Sequence, residues 1–533
     1  MHDFAHLLDR LVFTGSRNAK LRLMGAYFAA TPDPARGFAL AALTGTLDFK
    51  TAKPAQIRDL VTARVDPVLF EWSYDHVGDL AETVALIWPA RSGAGAAPGL
   101  PDVVTTLRHA PRAAVPSHLE TWLDALDATG RWALLKLITG GLRVGVSQRL
   151  AKTALAQTFA TETFDADLAA IEEVWHGLSP PYESLFAWLE GRAALPDIDQ
   201  GAAFRPMMLA NPLEDTDWAR LDPGAYRAEW KWDGIRVQIA ARDGVRRLFS
   251  RTGEDISATF PDILAAMDFD AVLDGELLII RDGAVAPFND LQQRLNRKRV
   301  DAKIQARHPA AVRLYDILFE DGADLRALPF DARRARLDAW HARVAPTRMD
   351  LSPLLSFTGR GDLHALHAEA RHRGIEGLML KRGDSPYVAG RPKGPWYKWK
   401  RDPLLRDAVL MYAQRGHGKR ASFYSDYTFG LWRPNPDTGT PELVPVGKAY
   451  FGFTDQELRR IDAWVRANTT ARYGPVRAVA PGLVLEVAFD AVQTSTRHKA
   501  GVALRFPRIH RLRWDKPAEE ADTLASLDSL VEG

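Results

Sequence analysis

Cysteine is absent from all 533 residues, which excludes disulfides, thiolate zinc sites, iron–sulfur clusters and cysteine nucleophiles. Long hydrophobic runs are absent too: no stretch approaches the roughly 20 apolar residues that span a bilayer. The opening MHDFAHLLDRLVF carries Asp3 and Asp9 and no basic stretch ahead of an apolar core, so no secretory signal is expected. These absences point to a reducing, cytoplasmic setting without a membrane partner. What is present, 46% hydrophobic and 26% charged residues, is the composition of folded domains and not of a disordered or fibrous chain. The length allows several domains.

Charge of one sign is scarce overall, the formal net charge being +2, but it is segregated. Residues 403–516 hold 18 Lys/Arg against 10 Asp/Glu, a balance of +8, and residues 517–533 hold five acids and no base. A basic region of this size fits a polyanionic partner and, equally, a solvated basic face. The acidic tail after Pro517 is expected to be mobile.

Periodicity divides the chain. Up to about residue 200, apolar residues recur at helical spacing, as in Phe4-Leu7-Leu8-Leu11 and Trp132-Leu135-Leu137-Ile138. Ser147 ahead of QRLAKTALAQTFA reads as an N-capped helix, and residues 89–99 as a Gly/Ala/Pro loop. From 206 the period becomes two. Alternating runs flank Asp233-Gly234, Asp243-Gly244 and Asp282-Gly283, and Asp-Gly in that setting predicts a hairpin. Residues 206–402 therefore read as an antiparallel α+β domain. After 403, short strands such as TFGLWRP and LVLEVAF between Gly/Pro turns suit a small β-barrel.

Alternation puts Glu229, Lys231 and Asp233 on one face of the first strand, with Trp230 and Trp232 on the other. A lysine between carboxylates, followed by Arg236, suits a covalent nucleophile beside a phosphate-binding group, although a salt-bridged hairpin would look the same. Lys398 and Lys400, two apart, point the same way on a strand. His364, His367 and His372 lack a carboxylate partner at metal-site spacing and read as surface histidines. Gly418-Lys419 lacks the spacing and the Ser/Thr of a Walker loop and reads as part of a basic loop.

The order of motifs resembles a known family. Lys231-Trp232-Asp233-Gly234-Ile235-Arg236 resembles the nucleotidyl-lysine motif of the lysine nucleotidyltransferases. Ser250-Arg251-Thr252-Gly253, Leu273-Asp274-Gly275-Glu276-Leu277 and Tyr315-Asp316-Ile317-Leu318 follow, the last continuing into Leu328-Pro329-Phe330 and Arg333-Arg334. Then come Glu376-Gly377-Leu378-Met379-Leu380-Lys381, Trp396-Tyr397-Lys398-Trp399-Lys400, and Leu504-Arg505-Phe506-Pro507-Arg508 with Arg513-Trp514-Asp515-Lys516. This succession is similar to the ATP-dependent DNA ligases. The stretch from Trp132 to Ser147 resembles the helical DNA-binding domain of cellular, archaeal and larger bacterial members, which capping guanylyltransferases and minimal ligases lack.

The resemblance implies three domains and a tail. They are an all-α DNA-binding domain over 1–205, an ATP-grasp-like adenylation domain over 206–402 with an antiparallel sheet, an all-β OB fold over 403–516, and the acidic segment 517–533. It implies that Lys231 attacks the α-phosphate of ATP and carries AMP to a nick in duplex DNA. Glu229 would accept the adenine amine, Tyr315 would stack on the base, and Glu276 would bind the ribose. Arg236, Arg251, Lys381, Arg391, Lys398 and Lys400 would contact nucleotide or phosphate. Glu276 and Glu376 would hold Mg²⁺, or Mn²⁺ in its place. Arg505, Arg508, Arg513, Asp515 and Lys516 would orient the pyrophosphate. Arg143, Ser147, Lys419 and Arg420 are the candidate DNA contacts. A monomeric, nucleoid-associated bacterial repair ligase is expected, with an end-processing nuclease or a helicase as protein partners. An RNA ligase, a capping enzyme or an inactive DNA-binding scaffold are the competing readings.

Overall fold

A computed structural model describes residues 1–531 apart from 90–94, 161–166, 197–201, 296, 298–299, 417–422 and 496–497. The chain falls into two compact units. One holds residues 1–171, 178–196 and 404–531; the other holds 172–177 and the described part of 197–403.

Among the described residues, everything regular up to Leu189 is helical. The helix His2–Phe13 buries Phe4, Leu7, Leu8 and Leu11, the stripe expected from its spacing. Asp127 caps Ala128–Thr139 by accepting from the Gly130 amide, and Leu135, Leu137 and Ile138 are buried. Ser147 caps Gln148–Phe159, its hydroxyl accepting from the Leu150 amide at 3.2 Å. Among the described residues, no helix is long and apolar enough to cross a membrane.

The second unit is built on two sheets. Its strands are β1 (Asn211–Pro212), β2 (Tyr226–Trp230), β3 (Ile235–Arg242), β4 (Val245–Ser250), β5 (Ala271–Arg281), β6 (Ala284–Val285), β7 (Ala310–Glu320), β8 (Ala323–Asp324), β9 (Met349–Leu351), β10 (Leu354–Leu355), β11 (Gly377–Arg382) and β12 (Trp396–Lys400). One sheet runs β1-β12-β11-β2-β10, the other β4-β3-β5-β7-β8, with β6 on β5 and β9 on β7. Asp243-Gly244 and Asp282-Gly283 make hairpins as predicted, pairing Arg242 with Val245 and Arg281 with Ala284. Asp233-Gly234 does not. It carries the chain from β2 in one sheet to β3 in the other, and the two strands do not pair. The reason is non-local: β2 is taken by β11 and β10, and β3 by β4 and β5. Gly234 is needed there for close approach. A Cβ would lie 2.4 Å from the Leu277 carbonyl oxygen and 2.9 Å from Glu276 Cγ.

The C-terminal part is β-rich, as expected. The strand Leu404–Arg415 pairs along one edge with two partners, residues 404–409 with Val484–Phe489 and residues 412–414 with Val476–Val479. Tyr424–Pro434 takes its other edge. The helix Asp455–Ala467 opens with a Thr454/Glu457 capping box and buries Leu458, Ile461 and Val465. The described part of the acidic tail, residues 517–531, packs against the C-terminal part rather than standing free of it. Leu527 is fully buried in the core of this part. Trp432 Nε1 donates to the Ala518 carbonyl at 2.7 Å, and the Asp522 carboxylate accepts from the Asp407 amide at 2.8 Å. Leucines at 524, 527 and 530 anchor a segment that its charge alone marks as solvated.

Candidate nucleotidyl-transfer site

Lys231 stands at the end of β2, just before the corner between the sheets. Its amide donates to Gly377 O at 2.8 Å and its carbonyl accepts from the Glu376 amide at 3.0 Å, extending the β2–β11 pairing. That pairing brings Glu376 beside it, and the Lys231 ammonium is ion-paired with the Glu376 carboxylate. Lys400, on β12, approaches the same carboxylate at 3.8 Å.

Burial lowers the Lys231 pKa to about 8; the Lys400 and Lys398 charges push the same way, while Glu276 and Asp233 oppose them. Burial likewise lifts Glu276, on β5, to about 7 against the pull of Lys231 and Arg236. Burial lowers Lys398, helped by the charges of Arg391, Lys400 and Arg251. The same kind of crowding lowers Arg251, where burial is joined by Arg236 and Arg391. The arrangement is a lysine inclined to lose its proton, in the field of several cations. That suits attack on a phosphate.

Arg236 is held by a buried triangle. Its guanidinium grips Asp274 through two hydrogen bonds of 3.0 and 2.6 Å, and NH1 donates to Met208 O at 2.7 Å. Tyr387 closes the triangle, its hydroxyl donating to Asp274 at 2.7 Å and accepting from Arg236 at 3.2 Å. The sequence leaves Asp274 and Asp316 open, each able equally to be a turn or helix-capping residue. Neither is: both are fully buried, and Asp316 is bound by Arg333 at 2.8 and 2.9 Å. Tyr387 escaped sequence reasoning, since no motif spacing marks it.

Glu229 is 2% exposed on β2. Lys381, facing it from β11, lies 2.5 Å from its Oε2, and Arg334 lies 3.3 Å from its Oε1. The Lys381 ammonium is 4.3 Å from the ring centre of Tyr315. Lys381 thus stands among the carboxylate and rings at the buried end of the site, while Arg391 is solvent-exposed on the segment leading into β12.

The C-terminal cations Arg508, Arg513 and Lys516 have carboxylate partners within the C-terminal part itself. Arg513 pairs with Asp515 at 3.0 Å and with Asp407 at 3.1 Å, Lys516 pairs with Asp407 at 2.8 Å, and Arg508 pairs with Asp490 at 3.1 Å. Arg505 lies over Phe506, 5.2 Å from its ring centre. Arg143 is exposed with a positive φ of 48°, ahead of the Ser147 cap. Lys419 and Arg420 lie outside the described residues, as does the His372 side chain. His367 stacks on Trp399 at 4.0 Å and His364 on Trp218 at 5.4 Å. Among the described residues, no group of three or more His, Asp or Glu is arranged for a metal ion.

Comparison with known proteins gives a consistent pattern. Residues 207–400 match the family model described as ATP dependent DNA ligase domain, and residues 420–516 the one described as ATP dependent DNA ligase C terminal region. A probable DNA ligase of Koribacter versatilis is 37% identical over 424 residues, covering 74% of this chain and 71% of that protein. DNA ligase 1 of Korarchaeum cryptofilum is 32% identical over 413 residues, covering 76% and 73%. The solved structure described as Pmar-Lig_PreS3 has the same fold, with a TM-score of 0.60, 16% identity, and 96% of this chain and 99% of that one covered.

Proposed function

Because the chain belongs to the ATP-dependent DNA ligase family, whose members seal nicks in duplex DNA, we propose that Lys231 is the nucleophile of that reaction. The observation that carries this is the Lys231 amine with its pKa lowered to about 8, paired to Glu376 and in the field of Lys398 and Lys400. The neutral Lys231 Nζ attacks the α-phosphorus of ATP. A P–N bond forms, the bond to pyrophosphate breaks, and the nitrogen gives up a proton. AMP then passes to the 5′-phosphate at the nick: the P–N bond breaks and a P–O–P linkage forms. The 3′-hydroxyl attacks that phosphate, a phosphodiester forms and AMP leaves. Each transfer relies on positioning and charge more than on acid–base groups.

Glu229, Tyr315 and Lys381 form the base end of this site. Arg236, Glu276, Arg251, Arg391, Lys398 and Lys400 serve the ribose and phosphates. Glu276 and Glu376 are hard oxygen donors next to Lys231 and fit a Mg²⁺ or Mn²⁺ ion, whose remaining ligands would be phosphate oxygens and water. When bound, the ion neutralises phosphate charge. The C-terminal part is read as an OB fold over 403–516. Its Arg505, Arg508, Arg513 and Lys516 meet the pyrophosphate, and Asp515 orients Arg513. The helical part over 1–205 grips DNA through Arg143 and the amides behind Ser147, without reading sequence. Lys419 and Arg420 fit a DNA-touching loop. A monomer acting in repair at the nucleoid, alongside an end-processing nuclease or helicase, completes the reading.

The test is incubation with α-labelled ATP and Mg²⁺, with GTP and NAD⁺ in parallel, followed by a chase with nicked DNA or nicked RNA. Label from ATP that is discharged only by nicked DNA is the expected result. Label discharged onto RNA alone would reassign the substrate, and no label from any nucleotide would end the proposal.

A further inference from the structure

A carboxylate that is 2% exposed would ordinarily be neutral. Burial holds the Glu229 pKa above the ordinary carboxylate value, and Lys381 followed by Arg334 opposes that rise without cancelling it. The two cations come from distant parts of the chain and take one oxygen each: Lys381 Nζ meets Oε2 at 2.5 Å, Arg334 NH1 meets Oε1 at 3.3 Å. Neither is free to leave. Lys381 is 1% exposed and hemmed by Tyr315, Trp396 and Phe330, with ring centres at 4.3, 4.7 and 5.0 Å. Arg334 is 7% exposed, donates to Ser352 O at 2.8 Å and is tied to Asp338 at 2.9 Å. The longer contact leaves Oε1 with acceptor capacity.

An ionised carboxylate only accepts hydrogen bonds, whereas a neutral carboxyl also donates. The difference matters at the 6-position of a purine. A 6-amino group donates and suits an ionised Glu229. A 6-oxo group brings an acceptor against an acceptor, which a buried site rejects strongly. We propose that Arg334 is a positioning residue that, with Lys381, fixes Glu229 as an acceptor and so makes the site select 6-amino over 6-oxo purine nucleotides. The inference rests on the reading of Glu229 as the base contact.

The experiment measures kcat/KM for self-nucleotidylation by the full-length protein with ATP, ITP and purine riboside triphosphate, which lacks a 6-substituent. Arg334→Gln keeps a donor for Ser352 but removes the charge. It should lower the ATP/ITP ratio by about tenfold or more, chiefly through KM. Arg334→Lys keeps a charge on a shorter reach and should lower the ratio by about threefold, so it gives an answer even if the Gln variant fails to fold. Glu229→Gln is run alongside and should erode preference for ATP over both analogues. An ATP/ITP ratio unchanged in the Arg334 variants, while Glu229→Gln shifts it, would overturn the role of Arg334 and leave the base reading standing. Ratios unmoved by Glu229→Gln would instead remove the base reading itself.

Discussion

The corners Asp233-Gly234 and Asp243-Gly244 share a dipeptide, alternating neighbours and a separation of only ten residues, yet they do opposite things. At the second, Asp243 and Gly244 take φ of 50° and 78°, the doubly left-handed turn that matches strand twist, and β3 folds back on β4. At the first, neither residue has a positive φ. β2 finds its partners more than a hundred residues downstream, and β3 turns away to β5. A local turn signal states what a dipeptide can do. Whether it does so depends on which edges the rest of the chain occupies. The corner that fails as a hairpin is the one next to Lys231.

The difference between the two corners can be tested by substitution and by titration. The largest effect belongs to Lys231→Ala, which should abolish covalent AMP and lower nick sealing by at least about 10³-fold. Retained label would move the nucleophile elsewhere. Gly234→Ala comes next. Its Cβ meets backbone at 2.4 Å, so urea unfolding should show a loss of about 1–3 kcal/mol or more, with adenylylation falling as well. A silent substitution would mean the corner is not packed against β5.

Third is the amine itself. In metal-free protein, competitive acetylation of Lys231 should rise about tenfold per pH unit and level off near pH 8, its protonated form being unreactive below that pKa. Exposed lysines should level off at about 10.4. A Lys231 profile matching theirs would remove the argument from burial. Gly244→Ala should cost about 1 kcal/mol, because an L-residue is strained at its positive φ, and should leave adenylylation intact. Asp243→Asn is the smallest change: Asn-Gly favours the same turn, so Tm should move by no more than about 2 °C. Lost adenylylation in either would show that the two corners are coupled.

The legible parts of the molecule were the local ones. The Phe4-Leu7-Leu8-Leu11 stripe, the Ser147 cap, two of the Asp-Gly hairpins and the common face of Lys398 and Lys400 each depend on residues within a turn or two. The ordered succession of motifs carried the family. What could not be read is who meets whom. Glu229 joins Arg334 across 105 residues, and Arg236 joins Tyr387 across 151; no periodicity encodes either. Asp274 and Asp316 stay undecided from sequence for the same reason, since an aspartate before glycine or after an aromatic looks alike whether it caps a turn or anchors a buried arginine. The tail was misjudged because its charge was counted and its leucine spacing was not.

That tail bears on where this ligase ends as a folding unit. The family likeness stops at residue 516, but the core of the C-terminal β-rich part does not. Leu527 fills it from beyond that limit, while Asp522 and Ala518 bind the strands on either side through Asp407 and Trp432. A polypeptide trimmed at Lys516 would keep every recognisable motif and lose the stopper of its own core, leaving a greasy opening prone to self-association. Here the smallest piece that resembles a ligase is smaller than the smallest piece that closes.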